Sequence, residues 1–168
     1  EDRLCMAKMA VEAGAKNGIF EPDGITKEYR KETAGPVARY YESDRDAVYS
    51  RAITIPLHEM EPQVAFPHSP ANVRPVSKAG TVSIDQVFIG SCTNGWYEDL
   101  LEAALLLKGK KAARGLRLIV IPGSPAIYRR AVREGIIETF IDAGAVIGPP
   151  CCGPCLGGHM GILASGER

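Results

Sequence analysis

From residue 81 onward, short β-branched runs alternate with helical stretches, and this alternation restricts the fold more than any other feature of the sequence. Residues 81–89 read as a strand that stops at Gly90. Residues 97–107 place Leu100, Ala103, Ala104 and Leu107 on one helical face. Residues 116–121 form a nearly all-apolar run, the pattern of a strand buried on both sides. Ser124 is the expected N-cap, and Pro125 the first residue, of a helix running to about Asp142. Residues 145–148 complete the series as a last short strand. Strand, helix, strand, helix, strand predicts an α/β fold, a three-layer α/β/α arrangement around a mainly parallel sheet.

The first half is less regular. Residues 1–17 carry a helical apolar pattern ending at Gly18, and residues 20–24 are a turn signal. Residues 25–48 are polar and charged and suggest short exposed helices. Between 49 and 57, Ile53, Ile55 and Leu57 alternate, which predicts a half-buried strand. Residues 61–80 hold four prolines, Pro62, Pro67, Pro70 and Pro75, and read as an extended connection. The expected division is therefore residues 1–60 as the end of a preceding α/β domain, 61–80 as the connection, and 81–168 as the main α/β domain.

Charge narrows the partners. Twenty basic and twenty acidic residues cancel, and no cationic block stands out, so neither nucleic acid nor a membrane surface is expected. No apolar run reaches the roughly 20 residues of a spanning helix.

Five cysteines remain to be explained: Cys5, Cys92, Cys151, Cys152 and Cys155. An odd count with two neighbours argues against a disulfide framework and for a cytoplasmic thiol or metal role. Cys5 lies on an apolar helix and reads as a small core residue. The others fall in two glycine-rich loops, residues 90–95 and 150–155, each following a strand, at the strand ends where open α/β sheets bind ligands. Three chemistries compete. Cys152-Gly153-Pro154-Cys155 has dithiol spacing, but redox use needs a helix start, and Leu156-Gly157-Gly158 is a poor one. Cys92, Cys152, Cys155 and His159 are a nominal zinc set, without the usual second knuckle. One distant cysteine plus a close pair also suits an iron–sulfur cluster with an open iron. Cys151 is a neighbour there, since adjacent residues rarely reach one cluster.

The motifs resemble a known family. Gly90-Ser91-Cys92-Thr93-Asn94-Gly95 and Cys152-Gly153-Pro154-Cys155-Leu156-Gly157-Gly158 look like the two ligand loops of the aconitase superfamily. Residues 61–65, 67–70 and 72–76 are similar to the interdomain segment of isopropylmalate isomerase large subunits. Residues 9–16 resemble the helix that carries an active-site glutamate. The likeness covers nearly the whole chain, four motifs in order.

That resemblance implies Cys92, Cys152 and Cys155 as ligands of a [4Fe–4S] cluster with one iron lacking a cysteine, and Glu12 as a catalytic carboxylate. Where the family usually has asparagine, four residues earlier, this chain has Lys8, so that role is not transferred. His58, His68, His159 and Trp96 read as structural, and Glu98 and Asp99 as helix-start acids. The implied reaction is dehydration and rehydration of a hydroxy acid by a cytoplasmic hydro-lyase. Homoaconitase is the near alternative, and a non-catalytic zinc- or cluster-binding module the distant one. A small, swivelling-domain subunit is implied as partner, supplying the base and specificity. The family's Asp-Ser-His-Thr and Asn-Arg-Asn-Phe segments are not found in these residues, and the chain does not open with Met. The expectation is an internal fragment, inactive alone.

Overall fold

A computed structural model describes residues 2–34 and 39–168. The chain divides into two compact units, Met6–Ala79 and a second formed by Gly80–Arg168 with Glu1–Cys5.

In the first unit, helix α1 (Asp2–Glu12), shared with the second unit at its start, ends earlier than residue 17 because Gly14 turns the chain at positive φ. Helix α2 (Gly24–Ala34) is opened by Asp23, whose carboxylate accepts from the Thr26 backbone N–H at 2.9 Å. Of the expected helical stretch 25–48, the described helix covers the part to Ala34, 35–38 lie outside the described residues, and 39–48 form no helix. The expected strand over 49–57 is absent; Ile53, Ile55 and Leu57 are exposed, and only a 3₁₀ turn, Leu57–Glu59, forms. Residues 61–80 are more than an extended connection. Strands β1 (Gln63–Ala65) and β2 (Val73–Pro75) pair antiparallel. The Asn72 side chain donates to the Pro67 carbonyl at 2.9 Å, and Arg74 lies over the Phe66 ring at 4.5 Å.

The second unit is α/β with a parallel sheet, as the alternation predicts. Strands β3 (Gln86–Gly90), β4 (Arg117–Ile121) and β5 (Val146–Ile147) stand in that order, all parallel. Helix α3 (Ser91–Asn94) and helix α4 (Tyr97–Leu107) join β3 to β4. The single helix expected from Pro125 to Asp142 is two, α5 (Pro125–Arg133) and α6 (Ile136–Asp142). Gly135 breaks it with φ 74, a left-handed conformation other residues avoid. The Ser124 hydroxyl caps α5 through the Ile127 N–H.

With the strands in sequential order, α4, α5 and α6 pack together on one face of the sheet. There Leu100, Phe140, Ala131 and Ile137 bury Val120. The start of α4 is tied to the end of α5. The Tyr97 hydroxyl bonds Glu134, and Arg130 covers the Tyr97 ring while pairing with Glu134 at 2.9 Å. That acceptor raises the Tyr97 pKa and the two partners lower that of Glu134. The opposite face, with Ile119 and Ile121, is covered by the segment after β5. Gly148 sits by Met160 and Ile121, Gly153 packs on Ile121, and Gly161 on Ile119 and Pro154.

The C-terminal residues close this cover. Arg117 holds Glu167 through two nitrogens, at 2.8 and 2.6 Å, and the Arg168 carbonyl accepts from Asp85 and Gln86. The Gln86 amide reaches the Gly161 carbonyl at 2.7 Å. The Arg117 guanidinium, helped by the Ala164 N–H, holds the Glu167 carboxyl down at about 2 from an ordinary 4.5. A depressed carboxylate stabilises the fold above its unfolded pKa and loses this as pH falls through the folded value. Amides of residues 161–168 are therefore expected to lose exchange protection between pH 4.5 and about 2. Glu167→Gln should show the same loss at pH 7, and full protection in that variant would refute the clamp.

Candidate metal centre and its relatives

Because the strands are parallel, the loops after β3, β4 and β5 leave the sheet at one edge, as anticipated for the two cysteine loops. The loops after β3 and β4 touch through their backbones, and the residue after β5 continues its pairing with β4. The Gly123 N–H, after β4, donates to the Gly95 carbonyl at 2.7 Å, and the Gly148 N–H to the Val120 carbonyl at 2.9 Å. A Cβ at Gly95 would lie 2.7 Å from the Gly123 nitrogen and 2.8 Å from the Ile121 oxygen. Only glycine permits this approach.

Cys92 is exposed on α3, one residue after Ser91. Ser91 is buried and has φ 68, the only non-glycine residue at positive φ among the described residues. Such a conformation costs of order 1–3 kcal/mol and is typical of functional turns. Sequence reasoning missed Ser91; the one available signal was its position between Gly90 and a cysteine. The Cys5 thiol, half-buried, donates to Asn94 of this loop at 3.4 Å. Cys5 is therefore a polar contact as well as a packing residue.

After β5, Cys152 is the N-cap of a 3₁₀ turn, Gly153–Leu156, that contains Cys155, whose N–H donates to the Cys152 carbonyl at 3.1 Å. Both are exposed, and Cys151 is half-buried. The turn is a single 3₁₀ turn capped by Gly157, so the helix start that dithiol redox chemistry requires does not form. His159, counted in the zinc set, lies 3.8 Å from Cys151 through its Nδ1 and belongs with that thiol.

The donor set suits an iron–sulfur cluster in its chemistry: three thiols, none in a disulfide, on two loops at one sheet edge. Among the described residues no three His, Cys, Asp or Glu side chains are grouped closely enough to hold a metal ion. The fold thus brings the cysteine-bearing loops to one edge without closing their side chains on a common point.

Glu12 ends α1 in the other unit. It is exposed and lines a depression of about 360 Å³ with Met9, Ala13, Ser69, Pro70 and Ala71. The matched segments 9–16 and 67–70 meet here. Lys8 and His68 are exposed, and His58 contacts Glu59 at 3.5 Å. The Asp99 carboxylate accepts from the Trp96 N–H at 3.2 Å, the helix-start role expected of it. Trp96 is half-buried, and its buried Nε1 has no hydrogen-bond partner among the described residues. No helix among the described residues is long and apolar enough to cross a membrane.

Comparison with known proteins agrees with the motifs. The aconitase family (aconitate hydratase) matches residues 1–82 and 77–168. The chain is 59% identical over 170 residues to the 3-isopropylmalate dehydratase large subunit 1 of Pyrococcus abyssi. It is 58% identical over 168 residues to the 3-isopropylmalate dehydratase large subunit of Lachnoclostridium phytofermentans. It is also 58% identical over 170 residues to large subunit 1 of that enzyme from Pyrococcus furiosus. In each case all of this chain is covered but 40% of the relative. With a family match running from one end to the other, the chain belongs to the aconitase family.

Proposed function

We propose that this chain is the cluster-bearing part of the large subunit of a 3-isopropylmalate dehydratase, an iron–sulfur hydro-lyase of leucine biosynthesis. One observation supports this most directly. Cys92 and the pair Cys152 and Cys155 occupy loops at one edge of a parallel sheet, in a chain 58–59% identical to such subunits. Membership of the family implies an iron–sulfur cluster. We assign it as [4Fe–4S], held by Cys92, Cys152 and Cys155.

When bound, the cluster supplies a Lewis-acidic iron without a cysteine ligand, which makes a coordinated hydroxyl a better leaving group. The chain's own residues do the rest of what is assigned here. The buried, left-handed Ser91 fixes the direction of Cys92, and the 3₁₀ turn fixes the spacing of Cys152 and Cys155. Glu12 offers a carboxylate at an open depression, and we assign it to handling the substrate's hydroxyl or the water that replaces it. The base that removes the C–H proton comes from the remainder of the enzyme, including a small-subunit partner, and the substrate is a hydroxy acid. The setting is cytoplasmic.

Anaerobic reconstitution with iron and sulfide tests the reading. About four irons per chain with broad visible absorption are expected. Tight stoichiometric zinc without that absorption would overturn it.

A further inference from the structure

A threonine inside a helix commonly turns its hydroxyl back on its own backbone. Thr33 and Thr139 do so here, donating to the Tyr29 and Gly135 carbonyls at 2.8 and 3.1 Å. Thr93, on α3, does not. Four residues before it stands Ile89, which lies in strand β3 and pairs with β4. That carbonyl belongs to the sheet, because α3 begins only at Ser91. The Thr93 hydroxyl lies instead 3.9 Å from the Cys92 sulfur, within the longer reach of a sulfur acceptor. Among the described residues it has no second partner. Thr93 is half-buried, so water competes less for this contact.

While Cys92 is a thiol, either atom is able to donate. A cysteine that ligates metal is a thiolate, which carries no proton and only accepts. The contact then has one direction, from hydroxyl to sulfur. We propose that Thr93 is the hydrogen-bond donor to the Cys92 sulfur of the bound cluster and raises the cluster's reduction potential. Hydrogen bonds to the sulfurs are among the factors that fix such potentials. A donor draws off part of the sulfur's charge, which favours the reduced, more negative cluster. Thr93 acts through Cys92 and is a positioning residue. The surrounding loop holds the pair in place: Ser91 is fixed at φ 68, and Gly95 is pressed against the Gly123 backbone. This inference rests on the assignment of Cys92 as a cluster ligand.

A redox titration followed by electron paramagnetic resonance tests it, on the 168-residue chain reconstituted with iron and sulfide. Thr93→Val keeps the branched shape without the hydroxyl, Thr93→Ala is a second deletion, and Thr93→Ser restores the donor. All three variants are expected to bind about four irons per chain. Thr93→Val and Thr93→Ala should shift the midpoint potential to more negative values, and Thr93→Ser should stay near the parent. Unchanged potentials in the two deletions would overturn the proposal. So would a shift shared by Thr93→Ser, which would assign the effect to packing. Loss of iron from both deletions would overturn it as well, since a bond to one sulfur tunes a cluster without holding it. A parent chain that takes up no iron refutes the cluster reading itself, and this proposal with it.

Discussion

Cys92→Ser, Cys152→Ser and Cys155→Ser are each expected to reduce iron retained after anaerobic reconstitution from about four per chain to near none. Serine keeps the size of the side chain but removes the soft thiolate that iron–sulfur chemistry requires. The loss is complete because a three-ligand set has no spare donor. Cys151 does not substitute, because its thiol is turned to His159 at 3.8 Å. Cys5 does not substitute either, as its thiol is bonded to Asn94. Cys5→Ser and Cys151→Ser should therefore retain iron and absorption near the parent level. Iron analysis and visible spectra on the five variants settle the assignment. Equal losses in all five would refute it.

The second large effect is on folding. Gly90→Ala is expected to destabilise the second unit by roughly 3–5 kcal/mol, combining backbone strain with overpacking. Gly90 has φ 120 and ψ −130, a region that belongs to glycine alone. A Cβ there would overlap the carbonyl oxygen of Ile121. Ile121 is the fully buried last residue of the central strand, so it has no direction in which to yield. That loss is a large share of a typical domain's stability. Gly109→Ala is the control, with φ 71 and nothing within 4 Å of its Cβ. It should cost only the left-handed penalty, about 1–2 kcal/mol. Urea unfolding distinguishes the two, and equal effects would show that the contact with Ile121 is not limiting.

The sheet was legible where one side of an element decides its state. Residues 118–121 are apolar because both faces are covered, and all four are buried. Ser124-Pro125 marked the start of α5 by its own chemistry. The break at Gly135 was not legible, because the apolar pattern continues through it into Ile136 and Ile137. The run 49–57 misled for the opposite reason: its pattern is that of a strand, but a strand needs a partner. The hairpin inside 61–80 was hidden by its prolines, since Pro75 sits at a strand end where no donor is required. Of the candidate site, the cysteines stood out because glycine and proline surround them. Ser91 did not, because serine carries no local preference for the left-handed backbone it adopts. The Arg117–Glu167 clamp joins residues 50 apart and has no local signature.

The segment from Gly148 to Gly161 is at once the roof of one sheet face and the carrier of Cys152 and Cys155. A ligand that grips those thiols and Cys92 together also fastens the roof to the end of β3. Binding and folding then become two readings of one equilibrium. A ligand present at 100 times its dissociation constant, bound only by the folded chain, adds about 2.7 kcal/mol. The melting temperature of this unit should therefore rise with iron and sulfide supply, and fall when a chelator strips them.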